Sequence, residues 1–379
     1  MLNKVVLIGG AGAPNYGDEL IVKGWKEYFL KNKKAEQVIF YENIASKEIE
    51  VHGEDPGVTF RDGLVRVAKN VAGLDFWDQV IRGYKFIESD GFSVYSSFDI
   101  DDLKDADVIH LHGGGYLNNF DPDKGFYVGL LAALKKTRNI KIVATGIGFG
   151  PVPDVGKKRL KIIEEIFSYF DFFELRDVDN FRLLKKKFPS GNFVFGLDDC
   201  YLLKASDFLR NKRKSKKKRM YLSFLEYNVR KIGEEFWDWV VERSKDFDEV
   251  VFFESYPWQD RKVYDFVKTK VDGVRYLPLS ESLNGIPMSS NDFVISARFH
   301  THYAFSRNGI SGVYSKDSRY YDIKHQSILD LGSEFVFSDL STPPENIERE
   351  GLGYNVMCSN DDLYTKMKMK LVGHIYGDL

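Results

Sequence analysis

The chain has 379 residues, of which 43% are apolar, 15% aromatic and 29% charged, and its formal charge is −2. That length exceeds one ordinary domain and can bury a sizeable core, so two domains are expected and a disordered chain is excluded. Near-neutral charge excludes a nucleic-acid binder held by bulk electrostatics, and two lone cysteines, Cys200 and Cys358, exclude a disulfide framework or cysteine zinc site and suit a reducing cytoplasm.

The first apolar run, MLNKVVLIGG, breaks at glycine too early for a signal sequence, and no uncharged run approaches the roughly 20 residues that cross a bilayer. A soluble or peripheral protein is expected. In chain order, residues 4–10, 37–41, 107–112, 141–145, 170–175 and 193–195 read as strands bounded by Gly, Asp and Pro. Between them, residues 19–31, 126–136, 155–167 and 178–188 carry helical spacing of apolar positions. Residues 45–98 fit the alternation less well and read as an insertion or a lid. The run Arg210–Arg219, RNKRKSKKKR, holds eight cations in ten positions and reads as an exposed linker outside any core. After it the alternation restarts, with strands at 220–224, 249–254, 274–277, 293–296, 312–314 and 335–337 and helices at 234–244, 260–271 and 301–307. Repeated βαβ alternation implies parallel sheets covered on both faces. The class is therefore α/β, with two Rossmann-like domains joined near residue 210 and a cleft between them. The expected boundaries are 1–209 for the first domain, 210–219 for the linker, 220–358 for the second domain, and 359–379 for a terminal helix returning to the first.

Ligands of such sheets sit beyond the carboxyl ends of the strands, so the residues at those ends carry the chemistry. Gly9–Asp18, GGAGAPNYGD, joins a strand to a helix, where backbone N–H groups receive anions. Its spacing is neither a dinucleotide fingerprint nor a P-loop. Asn15 and Asp18 either cap the helix or face the cleft, where the Asp18 carboxylate would hold or deprotonate a hydroxyl. His110 and His112 share a strand face in HLHGGGYLNN; with no carboxylate or cysteine pattern beside them, a ligand wall with close approach at Gly114 is favoured over a metal. GIGFGP at 146–151 is a second glycine-rich strand end, and Arg176 follows a strand as either a surface ion pair or an anion clamp. Asp198 and Asp199 point to opposite faces if extended and read as a structural turn. Ser296, Arg298 and His300 leave the 293–296 strand together, offering an anion-binding cation beside a proton-transfer group. The basic run reads as a solvated loop or as a contact for anionic lipid headgroups or a lipid-linked phosphate.

Taken in order, the loop Asn15–Asp18, the Gly113–Gly115 strand end, GIGFGP, Leu175–Asp177, Asp199–Leu203, Ser296–His300 and Tyr321–Lys324 resemble the polysaccharide pyruvyl transferase family from residue 5 to about 335. The resemblance implies a GT-B-like arrangement and transfer of pyruvate from phosphoenolpyruvate to a sugar of a surface polysaccharide or its lipid-linked precursor, as a cyclic ketal. It implies His300 and Arg298 as catalytic residues, with Arg176, Arg298, Lys324 and Ser296 on the donor. Asn15, Asp18, His112 and Gly114 are expected at the acceptor. No cofactor or metal is expected beyond phosphoenolpyruvate as co-substrate, and the protein is placed in the cytoplasm with peripheral contact at the inner membrane face through residues 210–219. The sequence departs from the family after Ser223, where Phe224 and Leu225 stand in place of a serine-then-arginine pairing. Residues 45–98 carry no family motif and are taken as the seat of acceptor specificity. The alternatives are a GT-B glycosyltransferase using a nucleotide sugar and a non-catalytic glycan binder.

Overall fold

A computed structural model of the chain describes residues 1–71, 73–138, 140–316, 318–344 and 355–377. Two parallel sheets account for all the strands it describes. The first comprises β1 (Leu2–Ile8), β2 (Ala35–Tyr41), β3 (Val58–Arg61), β4 (Val108–Leu111), β5 (Gly114–Leu117), β6 (Lys141–Phe149), β7 (Phe172–Leu175) and β8 (Phe193–Phe195), in the order β3-β2-β1-β4-β6-β7-β8 with β5 paired to β6. The second comprises β9 (Arg219–Ser223), β10 (Glu249–Phe253), β11 (Arg275–Leu277), β12 (Phe293–Ser296), β13 (Ser311–Tyr314) and β14 (Val336–Phe337), in the order β11-β10-β9-β12-β13-β14. Strand order reverses direction at β1/β4 in one sheet and at β9/β12 in the other, and such switch points are where α/β sheets take ligands. The expected strands and helices recur within a few residues of their sequence positions, because buried β-branched runs and amphipathic stretches each have one low-energy way to bury their apolar atoms.

Packing divides the chain into two units, one of residues 1–13, 21–202 and 368 onward, the other of residues 14–20 and 203–367. The short segment 14–20 thus belongs with the second sheet, where the Tyr16 N–H donates to the Ser255 carbonyl at 2.8 Å and the Tyr16 ring stands edge-on to Phe253 at 4.9 Å. The final helix, Asp361–Tyr376, is shared between the units, its change of membership falling at Lys368.

Three expectations are corrected. Residues 45–98 are neither insertion nor lid: they supply the edge strand β3 and the Gly63–Asn70 and Phe76–Lys85 helices, whose Leu64, Val67, Trp77 and Val80 lie in the core of the first unit. The Phe76–Lys85 helix crosses the Gly125–Arg138 helix backbone to backbone, for a Cβ on Gly129 would lie 1.8 Å from the Val80 carbonyl oxygen. The strand expected at 141–145 is longer: β6 runs on to Phe149 past a register shift between Ala144 and Ile147, where Gly146 takes φ 59°, so that it ends inside GIGFGP. The basic run does reach the core at its last residue: Arg219 opens β9, is buried, and donates Nε–H to Glu249 at 2.7 Å.

Asp199, expected to be part of a turn, is a buried hub of the first unit. It accepts from Trp25 Nε1 at 2.8 Å, Gly113 N at 2.7 Å and Thr145 Oγ1 at 2.7 Å, and pairs with Lys368 Nζ at 2.7 Å. One carboxylate therefore ties the turn after β4 and the middle of β6 to the first and last helices.

Candidate functional site

In the second unit the constellation begins where β12 stops. Ala297 continues the sheet by donating to the Ser223 carbonyl at 2.8 Å, and Ser296 then turns the chain, its Oγ accepting from Arg298 N at 3.0 Å and donating to Arg298 O at 2.9 Å. Arg298 is the N-cap residue of the Phe299–Arg307 helix, so its side chain and His300 stand in the positive field of a helix start. The guanidinium is nearly buried and its Nη2 is ion-paired to Asp260. Asp260 is itself fixed, accepting from Ser255 N at 2.7 Å and Tyr256 N at 2.8 Å. Burial pushes the Asp260 carboxyl up, against the pull of Arg298 and of the two main-chain donors. Arg298 also lies over the Tyr256 ring at 6.0 Å, and among the described residues its buried Nε–H meets no acceptor. A buried, unsatisfied guanidinium donor is costly unless an anion completes it.

The segment 14–20 brings Asn15, Gly17 and Asp18 to the same place. Asn15 Oδ1 accepts from Gly17 N at 3.2 Å, opening the Tyr16–Asn32 helix, whose first turn carries Asp18. Gly17 packs flat against the His300 imidazole: a Cβ there would lie 1.6 Å from Nδ1. Only glycine lets the ring take this position, and the ring's other side is bounded by Phe299 at 4.6 Å between centroids. Asn15 and Asp18, expected on the acceptor side, thus share a unit with Ser296, Arg298, His300 and Lys324. Beneath them the hydroxyls of Ser223, Ser255 and Thr301 form a buried triangle, 3.3, 3.3 and 3.0 Å on its sides. Ser255 and Thr301 thus give Ser223 polar partners, while Phe224 beside it turns into the core against Trp237. Lys324 stands on the Arg319–Leu329 helix with its ammonium 3.8 Å above the Tyr320 ring.

The remaining candidates lie in the first unit. Arg176 is no surface ion pair: it is buried, bound to Asp198 through Nη1 at 2.5 Å, and lies against Gly148, where a Cβ would stand 2.9 Å from Nη2. His112 is 1% exposed, its Nε2 is 2.5 Å from Glu42 Oε1 and its Nδ1 3.1 Å from the Gly113 carbonyl. Burial alone would strip its proton, but Glu42 outweighs burial and holds the imidazole's proton affinity above its ordinary value. His112 is therefore held between the Gly113 carbonyl and Gly9 rather than presented to solvent. His110, its neighbour on the strand, bonds instead to Tyr376 and Thr145, each at 2.7 Å, and burial pulls its pKa down to about 3. The two rings face separate partners and do not converge on one point. Glu42 also accepts from Ala11 N at 2.7 Å, and Asn43 bonds the Gly10 carbonyl and Lys124, so the glycine loop after β1 rests on a buried polar network.

Sequence reading missed Asp260, Tyr16, Ser255 and Thr301. Asp260 is 38 residues from Arg298, and no local pattern couples them. Its one local signal is an acid in the first turn of the Pro257–Val267 helix.

The polysaccharide pyruvyl transferase family model matches residues 15–314. No curated protein matches the chain. Among solved structures, a Listeria monocytogenes protein assigned as UDP-N-acetylglucosamine 2-epimerase superposes with a TM-score of 0.55 at 11% identity, covering 98% of this chain and 96% of that one. The S. aureus MnaA–UDP complex gives 0.55 at 12% identity over 98% and 96% of the two chains, and the UDP-GlcNAc 2-epimerase of Methanocaldococcus jannaschii 0.53 at 10% over 98% and 99%. At these identities the likeness establishes the fold, two Rossmann-like units of the GT-B-like kind.

Proposed function

The chain belongs to the polysaccharide pyruvyl transferase family, and on that premise we propose that it transfers pyruvate from phosphoenolpyruvate to a sugar of a surface polysaccharide or its lipid-linked precursor, closing a cyclic ketal. The observation that carries this reading is the unsatisfied buried Nε–H of Arg298, aimed from a helix start beside His300. Arg298 takes an oxygen of the phosphate or carboxylate, with Asp260 holding the fork in place and Ser296 holding the turn. His300 delivers a proton to the methylene carbon, leaving an oxocarbenium-like C2. A sugar hydroxyl bonds C2 and gives its proton back to the His300 imidazole; a second hydroxyl then bonds C2 as the C2–O bond to phosphate breaks, the phosphate leaving with the electron pair and taking up that hydroxyl's proton. Arginine and lysine stabilise that departing charge. Arg176 and Lys324 are the further donor contacts of this reading, and Asn15, Asp18 and Gly114 the acceptor contacts, with His112 supporting Gly114 through the backbone.

Calorimetric titration with phosphoenolpyruvate is the test, with a uridine-diphosphate sugar in parallel. Saturable binding of phosphoenolpyruvate is expected, weakened by about 10²-fold or more in Arg298→Ala, since truncating one partner of a buried charge pair costs about 2–5 kcal/mol. Binding of the nucleotide sugar alone would replace this reading with a glycosyltransferase.

The acceptor's lipid carrier gives the basic segment a role. Among the described residues no helix is long and apolar enough to cross a membrane. Arg210, Arg213, Lys214 and Ser215 line an open cleft of about 490 Å³ with Pro287, and we assign it to anionic headgroups at the membrane surface. Co-sedimentation with vesicles containing anionic lipid, and not with neutral ones, is expected and should drop on replacing Arg213, Lys214 and Lys216 with serine, each cation being worth about 1 kcal/mol. Equal sedimentation of wild type and variant would sink the assignment.

A further inference from the structure

The helix that carries Arg298 and His300 at its start carries a second histidine two residues on, on the opposite face, and that residue meets another beside Lys324. His302 and His325 are both fully buried, and their Nδ1 atoms lie 2.9 Å apart. A hydrogen bond between two like ring nitrogens holds one proton, so one imidazole donates and the other accepts. The other nitrogen of His302 lies 2.7 Å from Ser333 Oγ, which in turn lies 2.8 Å from Ser306 Oγ. Phe335 stacks on His302 at 4.2 Å, and Tyr314 of β13 lies 5.4 Å from His302 and 5.0 Å from His325. The pair is thus walled by aromatic rings that have no counter-charge to offer.

We propose that His302 and His325 are positioning residues, whose one-proton hydrogen bond sets the helix bearing Lys324 against the helix bearing Arg298 and His300. This rests on the donor roles assigned above to those three residues. The charged groups that act on His325 are Lys324 on its own helix and Lys316 and Asp322 before and within it, Lys316 and Asp322 being paired to each other; on His302 the acting group is His325. The Ala297 carbonyl and Asp322 favour a proton on His325, and burial with Lys324 outweighs them. Burial, reinforced by Lys324, pulls His325 down to about 3, and burial with His325 pulls His302 well below the ordinary imidazole value. Both folded values are depressed, so the pair's contribution is complete above the unfolded imidazole value of about 6.5 and is lost as pH falls toward the folded values.

The experiment compares wild type, His325→Phe and His325→Asn. Asparagine keeps a polar atom near the Nδ1 position and cannot titrate. In steady-state transfer His325→Phe is expected to raise the KM for phosphoenolpyruvate about tenfold, with kcat changed less than threefold, the mark of a displaced lysine rather than a lost acid. His325→Asn is expected to restore KM to within about threefold and to move the acid limb of thermal stability, followed by fluorimetry from pH 7.5 to 4.5, to lower pH. A folded His325→Phe with wild-type KM, or a His325→Asn acid limb that superposes on wild type, would overturn the proposal. Should wild type fail to bind phosphoenolpyruvate at all, the assigned function fails instead, and the stability limb alone decides whether the one-proton pair exists.

Discussion

Replacing His300 with glutamine is expected to remove pyruvyl transfer, lowering kcat by about 10²- to 10⁴-fold, the range that a positioned general acid contributes, while phosphoenolpyruvate binds within a few-fold of wild type. Glutamine is no bulkier than the imidazole that packs on Gly17, so the loss reports chemistry rather than a displaced loop. The separation from Arg298 follows from geometry. Arg298 meets a ligand as a buried cation whose Nε–H is unsatisfied, and its loss is felt in binding. His300, two residues on, is assigned the proton transfer, and its loss is expected in turnover. The pH profile adds a sign. An acid that must be protonated works below its own pKa in the complex, so kcat should fall as pH rises through that value, and this alkaline limb should vanish from the residual rate of His300→Gln. Wild-type turnover in His300→Gln would place the proton donor elsewhere.

What could be read in the sequence follows a physical division between local and distant causes. The Ser296–Arg298–His300 turn was legible because its backbone is shaped within five residues: an apolar strand ends, a serine turns the chain, a helix starts. Both parallel sheets were legible for the same reason, each strand being a short run with no choice but burial. Asp260 was not, because what identifies it is a bond to Arg298 across the fold. The placement of residues 14–20 was not, because one main-chain bond from Tyr16 to Ser255 decides it and main-chain bonds leave no trace in side-chain pattern. Residues 45–98 read as a lid because their helices are short; that Gly83, Gly125 and Gly129 let two helix backbones touch is a property of the pair, visible in neither alone. Arg219 read as linker because charge runs are usually solvated, whereas Glu249 on the neighbouring strand waits for it.

Replacing Lys368 with methionine is expected to destabilise the first unit by about 3–5 kcal/mol, because it leaves buried carboxylates without their cation. Lys368 is fully buried between Glu174 at 2.5 Å and Asp199 at 2.7 Å. Burial opposes the charge of both acids, but the outcomes differ. Lys368, with help from the polar groups around Asp199, holds that carboxyl below its ordinary value, whereas burial wins at Glu174 and pushes it up. As pH falls, Glu174 is therefore protonated first, at no loss to the Asp199–Lys368 pair, and the pair's contribution is lost only in stronger acid, below the unfolded carboxylate value of about 3.9. Wild-type stability should accordingly hold or rise slightly as pH falls from 7 through the protonation of Glu174. Lys368→Met should respond more strongly. With no cation, both acids are raised, their folded forms hold protons that the unfolded chain has shed, and stability falls as pH rises from about 4.5. The variant should therefore melt higher at pH 5 than at pH 8. Glu174→Gln, which removes the surplus charge and keeps an acceptor for Leu197 N, should stay within about 1.5 kcal/mol of wild type. A Lys368→Met protein whose thermal midpoint matches wild type, or drops on acidification, would mean that the cluster is hydrated and that Asp199 holds the strand ends through its neutral donors alone.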